Sequence, residues 1–186
     1  QQLLQQAKAN NAQEAIATLN QSGRAAWEAT ASAAPGQEAK QFAFHSSGAH
    51  FCEVAVDEEI GRLQITRWLS VMDVGRIINV KTAASQVRGG VIMGISHALM
   101  EEGELDPTMG NPVVYDLATY HIASHADIPR IDVAFVGKPD LKFNPVGARG
   151  VGEIGITGVA AAVANAVYHA TGKRIRNLPI TPDKLI

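Results

Sequence analysis

The sequence predicts an α/β (α+β) fold, a mixed sheet with packed helices, and three observations carry that expectation. Between Gln41 and Gly75, apolar residues alternate on both sides of Asp57-Glu58-Glu59-Ile60-Gly61, the pattern of two strands joined by a turn. From Lys81 to about Glu102, Ala83, Val87, Val91, Ile95, Ala98 and Leu99 recur at spacings of three to four, which puts them on one helical face. Ile156 to Ala170 is a second helix, rich in alanine and valine and closed by Gly172.

The remaining elements follow in chain order. Leu3, Leu4, Ala7, Ala15, Ile16 and Leu19 give one or two short helices broken near Asn10-Asn11, and Ser32 to Lys40 reads as a linker. In the hairpin, Phe51, Val54 and Val56 belong to the first strand and Leu63, Ile65 and Trp68 to the second. Residues 116 to 124 are expected to form a short helix ended before Asp127-Ile128-Pro129, and Ile131 to Gly137 a further strand. The tail Asn177 to Ile186 reads as extended. Residues 1–40 are therefore assigned to a helical segment and linker, and 41–186 to the main subdomain.

Composition narrows the function classes. With 46% hydrophobic and 18% charged residues, a chain of 186 residues can bury a substantial core. A formal net charge of -2 gives no electrostatic reason to expect nucleic acid or an anionic membrane as partner. One cysteine, Cys52, makes no internal disulfide, builds no all-cysteine metal site, and reads as a buried, inert thiol in mid-strand. No apolar run is long enough to span a bilayer, and the opening residues lack the order of a signal peptide. The start without methionine, in a glutamine-rich helical pattern, reads as a fragment or a processed chain.

The chemistry concentrates in Gly147-Ala148-Arg149-Gly150-Val151-Gly152-Glu153, expected directly before a helix. Three glycines in six residues allow the backbone to approach a bulky ligand, and a helix start presents unpaired N–H groups to anionic oxygens. The loop lacks the Gly-Lys-Ser/Thr of a Walker loop and the strand and spacing of a dinucleotide fingerprint. On pattern alone, the better reading of Glu153 is a favourable charge in a first helical turn. Gly89, Gly90 and Gly94 inside the first long helix have two readings, close approach by a cofactor or tight helix packing. His121 and His125 are four apart and could share a helical face, but they lack the glutamate of a zinc protease pattern; His45, His50, His97 and His169 read as structural.

The motif GVGEIG after Asn144-Pro145 resembles the C-terminal signature of the xanthine oxidase family of molybdenum hydroxylases. MDVGRIIN followed by QVRGGVIMGISHALMEE resembles that family's other C-terminal block, and HSSGAHFCEVAVDEEIGRL is similar to the strand pair before it. Within the family, the likeness is greatest to bacterial aldehyde oxidoreductases that use molybdopterin cytosine dinucleotide.

The resemblance implies that residues 41–186 are a C-terminal subdomain of the molybdenum-binding domain. It makes Glu153 the general base that takes a proton from the attacking oxygen, a task suited to a carboxylate partly shielded from water. It gives cofactor contacts to Gln86, whose amide suits a pterin edge, although the residue alone reads equally as a solvated helix-start glutamine. The turn Arg76, Ile77, Ile78, Asn79, Val80, Lys81 and Thr82 would cradle the cofactor, with Arg76 or Lys81 meeting pyrophosphate oxygens. Backbone groups of Arg149, Gly150, Val151 and Gly152 would line the metal end, with no side chain ligating molybdenum directly. The sequence departs from the family pattern at Val80, where relatives often have proline, and at Arg149, where they commonly have lysine.

The full enzyme so implied oxidises aldehydes to carboxylic acids with water as oxygen donor and passes electrons to iron–sulfur clusters and FAD on partner subunits. The rest of the molybdenum subunit supplies the other cofactor contacts and most of the substrate pocket, so this piece alone is expected to have no turnover. Two other functions fit the same residues: hydroxylation of an N-heterocycle, and a non-catalytic assembly domain. The expected compartment is the periplasm, reached through a partner's signal, or the cytoplasm.

Overall fold

The computed structural model describes residues 1–23, 28, 30 and 37–186. They lie in two compact units, Gln1–Gln37 and Glu38–Ile186. In the first unit, α1 (Gln2–Ala7) and α2 (Ala12–Ser22) are separated as the asparagine pair predicts. Lys8 leaves α1 in the left-handed region with φ 51°, and the Asn11 side chain accepts from the Glu14 N–H at 2.9 Å. The Glu14 carboxylate in turn accepts from the Asn10 N–H, so helix start and preceding turn satisfy one another. Most of the expected linker lies outside the described residues; its end, Gln37–Lys40, is a short 3-10 helix.

The second unit is built on a mixed sheet in the order β1 (Ser47–Asp57), β2 (Arg62–Asp73), β3 (Ile131–Phe135). β1 and β2 are the antiparallel hairpin, and β3 runs parallel to β2. Gly61 closes the hairpin with φ 65°, where a side chain would be strained and would also meet the Pro182 carbonyl. The register slips between Glu53↔Arg67 and Val54↔Ile65, which leaves Thr66 as a bulge. That extra residue is why Ile65 and Trp68, three apart, both face the core at 3% and 0% exposure. On β1 the inward residues are Cys52, Val54 and Val56, whereas Phe51 lies on the other face, 57% exposed. Burial, and then the neighbouring Glu53, push the Cys52 thiol up to about 12, which keeps it protonated and inert.

Two long helices cover one face of the sheet. α3 (Val80–Leu99) buries Val87, Val91, Ile95 and Ala98, and α4 (Val159–Thr171) buries Val159, Val163 and Val167. These join Trp68, Met72 and Val74 in one apolar core. The tail is not simply extended: it turns through a 3-10 helix at Pro182–Lys184, with Ile180 and Leu185 buried and the Ile180 N–H donating to the Ala98 carbonyl at 2.7 Å.

Two helix boundaries and one expected helix differ from the sequence reading. α3 ends at Leu99, so Glu101 and Glu102 lie beyond it, where Glu101 accepts from the Tyr120 hydroxyl. α4 begins at Val159 instead of Ile156, because residues 152–158 are turns. The helix expected over 116–124 does not form: the Asp116 carboxylate accepts from the N–H groups of Ala118 and Thr119 and closes a local turn instead. His121 and His125 consequently share no helical face.

The helix glycines separate by position. A Cβ on Gly90 would sit 2.7 Å from the backbone of Gly155 and Ile156, and one on Gly94 would meet the Val159 side chain at 2.5 Å. Both therefore serve packing of α3 against the 152–159 segment. Gly89 faces open space. Gly89→Ala is expected to raise stability by about 0.8–1 kcal/mol through helix propensity, while Gly90→Ala lowers it despite the same propensity gain; thermal unfolding of the two variants measures the contrast.

Candidate functional site

The site begins where β2 leaves the sheet. Gly75 turns with φ 70° and forms an isolated antiparallel bridge with Ala148. The Arg76 N–H donates to the Gly147 carbonyl at 2.7 Å and the Arg149 N–H to the Val74 carbonyl at 2.8 Å, so residues 147–149 run as a strap along the end of β2. Asn144 shapes that strap from within: its Oδ1 accepts from the Gly147 N–H and its Nδ2 donates to the Ala148 carbonyl.

The Arg149 side chain locks the strap. Its guanidinium reaches the Asp73 carboxylate through Nη2 and the Asp140 carboxylate through Nη1 at 2.9 Å, with only 15% of the side chain exposed. Both its charge and its main-chain N–H are thus consumed inside the protein, and Nε has no partner. A lysine could not span two carboxylates with a planar fork, which gives the arginine a local reason.

Between this strap and the start of α3 lies a cleft of about 380 Å³ lined by Val74, Arg76, Ile77, Ile78, Asn79, Thr82, Ala83, Gln86, Ala148, Arg149 and Val151. The sequence reading singled out Arg76, Ile77, Ile78, Asn79, Thr82, Gln86, Arg149 and Val151 of these. Val80, Lys81, Gly150, Gly152 and Glu153 do not line it. Val74 and Ala83 were missed, and Ala148 entered only as part of the glycine-rich loop; they are apolar, and nothing in their residue type marks them as site residues.

The helix start that faces this cleft belongs to α3, not α4. Asn79 caps it: its Oδ1 accepts from the Thr82 N–H at 3.2 Å, and its carbonyl accepts from the Ala83 N–H. Among the described residues, the N–H groups of Val80 and Lys81 and the guanidinium of Arg76 have no partner. Valine at the first helical position leaves this cap intact. α4, by contrast, starts six residues beyond Glu153, its cap Gly158 in the left-handed region with φ 87°.

Glu153 sits on the turn beyond the strap, exposed, and not in a first helical turn. Three side chains hold that turn by its carbonyls. Ser46 donates to Gly150 at 2.6 Å, Gln86 Nε2 to Gly152 at 2.8 Å, and His50 Nε2 to Thr157 at 3.0 Å. Gln86 is therefore neither a helix-start residue nor merely solvated; it ties α3 to the residue before Glu153 and keeps its Oε1 as an acceptor. Because a carbonyl can only accept, His50 carries its proton on Nε2, and Nδ1 accepts from the Ser70 hydroxyl at 2.9 Å. Ser70 accepts in turn from buried Trp68 Nε1. Burial pushes the His50 pKa below its ordinary value, against the opposing effect of the Thr157 carbonyl.

Comparison with known proteins bears on this geometry. Residues 2–129 match the family model described as a molybdopterin cofactor-binding domain. The chain is 46% identical over 151 residues to the aldehyde oxidoreductase molybdenum-binding subunit PaoC of Escherichia coli K12, covering 81% of this chain and 21% of that subunit. This chain belongs to the molybdopterin-binding family of molybdenum hydroxylases. It is also 35% identical over 139 residues to the probable hypoxanthine oxidase XdhD of the same strain, which covers 75% of this chain and 14% of that protein.

Among solved structures, the aldehyde oxidoreductase of Desulfovibrio gigas superposes with a TM-score of 0.67 at 32% identity, over 75% of this chain and 15% of that one. Quinoline 2-oxidoreductase of Pseudomonas putida 86 superposes with a TM-score of 0.70 at 29% identity, over 75% of this chain and 18% of that one. The mixed α/β unit is thus the fold of a part of these molybdenum-binding chains, and the sequence spans about a fifth of the length of its curated relatives.

The strap makes a direct prediction. Arg149→Leu leaves the carboxylates of Asp73 and Asp140 without their shared partner and is expected to cost about 3–5 kcal/mol. Arg149→Lys keeps the charge and should cost about 1–3 kcal/mol. Denaturant unfolding of the two variants checks the order, and an Arg149→Lys variant as stable as wild type would mean that charge alone, not the fork, holds the strap.

Proposed function

We propose that this chain is the C-terminal part of the molybdenum subunit of an aldehyde oxidoreductase, with Glu153 as general base beside molybdopterin cytosine dinucleotide. The observation that carries the reading is the bond from Gln86, which lines the cleft on α3, to the carbonyl of Gly152, the residue before Glu153.

The donors present fit such a cofactor. The free N–H groups of Val80 and Lys81 at the start of a 20-residue helix, with Arg76 beside them, suit the oxygens of a pyrophosphate. A Cβ on Gly150 or Gly152 would meet nothing, so the backbone there is open to a flat or bulky group. When bound, the cofactor would accept the two electrons of the oxidation. The chain's own part is to hold and to move a proton. Asn79 fixes the first turn of α3, Gln86 Nε2 fixes the Gly152 carbonyl, and the Glu153 carboxylate takes the proton from the water-derived oxygen as it attacks the aldehyde carbon. Overall, aldehyde and water give carboxylic acid, two protons and two electrons, which partner subunits carrying iron–sulfur clusters and FAD remove. The rest of the molybdenum subunit would cover the exposed side of Glu153 and shield it from bulk water.

The aldehyde substrate rests on the likeness to PaoC, in preference to the N-heterocycles named for the more distant relatives. In the complete enzyme, Glu153→Gln is expected to leave molybdenum content, and cytidine nucleotide released by acid hydrolysis, near wild type while lowering aldehyde turnover by about 10²–10⁴-fold. Near-normal turnover in that variant would remove Glu153 from the reaction, and absence of cytidine nucleotide from the wild type would refute the dinucleotide form.

A further inference from the structure

The turn that bears Glu153 is anchored unevenly. On its N-terminal side Gly150 and Gly152 are held by Ser46 and Gln86; on its C-terminal side the one side chain among the described residues that bonds a carbonyl of the turn is His50, at Thr157. Packing holds the opposite face of the turn, where Gly155 and Ile156 lie against Val87 and Gly90 of α3, but not the face toward β1. A cavity of about 210 Å³, bounded by Ser46, Ser47, Gly48, His50, Ile154 and Thr157, lies against the turn, so the atoms facing it lack neighbours. The imidazole also rests against Gly158, the left-handed residue at which the turn becomes α4: a Cβ there would lie 3.6 Å from His50 Cδ2.

His50 is itself held rigidly. Ser70 and Trp68 are 0% exposed, and the chain of donors from Trp68 Nε1 to Ser70 Oγ to His50 Nδ1 leaves the ring one tautomer, with Nε2–H aimed at Thr157. The His50 and Trp68 rings lie 5.6 Å apart, which fixes the imidazole plane as well.

We infer that His50 is a positioning residue for Glu153: by carrying the rigidity of β2 to the Thr157 carbonyl, it fixes the side of the turn that α3 does not hold and so sets the direction of the carboxylate. This rests on the proposed role of Glu153 and goes beyond it, since His50 touches neither that side chain nor the cleft. An error of about 1 Å in the placement of a reacting group can cost about 100-fold in rate, so one carbonyl bond in such a turn is enough to matter.

The test uses two amides of opposite reach. Glutamine places an N–H near the position of Nε2 and can still bond Thr157; asparagine reaches only as far as Nδ1 and cannot. In the complete enzyme, His50→Asn is expected to speed amide hydrogen exchange over residues 154–158 by about 10-fold or more and to lower kcat by about 10- to 100-fold with KM and molybdenum content near wild type. His50→Gln should restore both exchange protection and kcat. If His50→Asn does not accumulate, His50→Phe, which fills the ring's space without a donor, replaces it in the same comparison. Unchanged exchange over 154–158 in the variant lacking the donor, faster exchange with unchanged kcat, or no recovery in His50→Gln would each overturn the inference. Normal turnover in Glu153→Gln would instead sink the base assignment and leave the exchange comparison to decide the anchoring of the turn.

Discussion

The pairing of residues 147–149 with the end of β2 is the constraint on which the site depends. The two backbone hydrogen bonds of one isolated bridge would be a weak attachment for a loop, but the Arg149 fork between Asp73 and Asp140 fastens it from inside. With the strap fixed, the start of α3 becomes its opposite wall, and the cleft follows from the distance between them. The Arg149 charge is in this way spent on the scaffold, which leaves, among the described residues, the Arg76 guanidinium, the first N–H groups of α3 and the N–H groups of Gly150 and Gly152 without partners.

A second consequence concerns glycine. The glycines of α3 and of the 147–158 segment look alike in sequence and do different work. Gly90, Gly94 and Gly155 let the 152–159 segment lie directly on α3, with backbone approaching backbone near Val87. Gly150 and Gly152 face open space, and Gly158 supplies a left-handed conformation that starts α4 in the direction of the core. Packing therefore determines where the Glu153 turn lies, and the carbonyl bonds from Ser46, Gln86 and His50 determine how it is oriented.

Much of the scaffold was legible in the sequence because its signals are local. The hairpin around Gly61, the long amphipathic α3 and the valine stripe of α4 each follow from residue spacing over one or two turns or strands. The helix expected at 116–124 failed for an equally local reason, since the Asp116 carboxylate competes for the N–H groups that a helix would need at its start. The bulge at Thr66 was not legible. It depends on the requirement that Ile65 and Trp68 both reach a core assembled from distant segments.

The sequence by itself determined the family, the hairpin, the two long helices and many of the residues that line the cleft, because short motifs and local spacing can be read directly from residue types. Only the tertiary structure decided what each of those residues does. It turned Arg149 inward to two acids more than seventy and fewer than ten residues away in the chain, gave the cleft the start of α3 instead of that of α4, and made Gln86 and His50 anchors of the turn that carries Glu153. Those roles depend on contacts between segments far apart in the chain, and such contacts have no spacing that a linear pattern can encode.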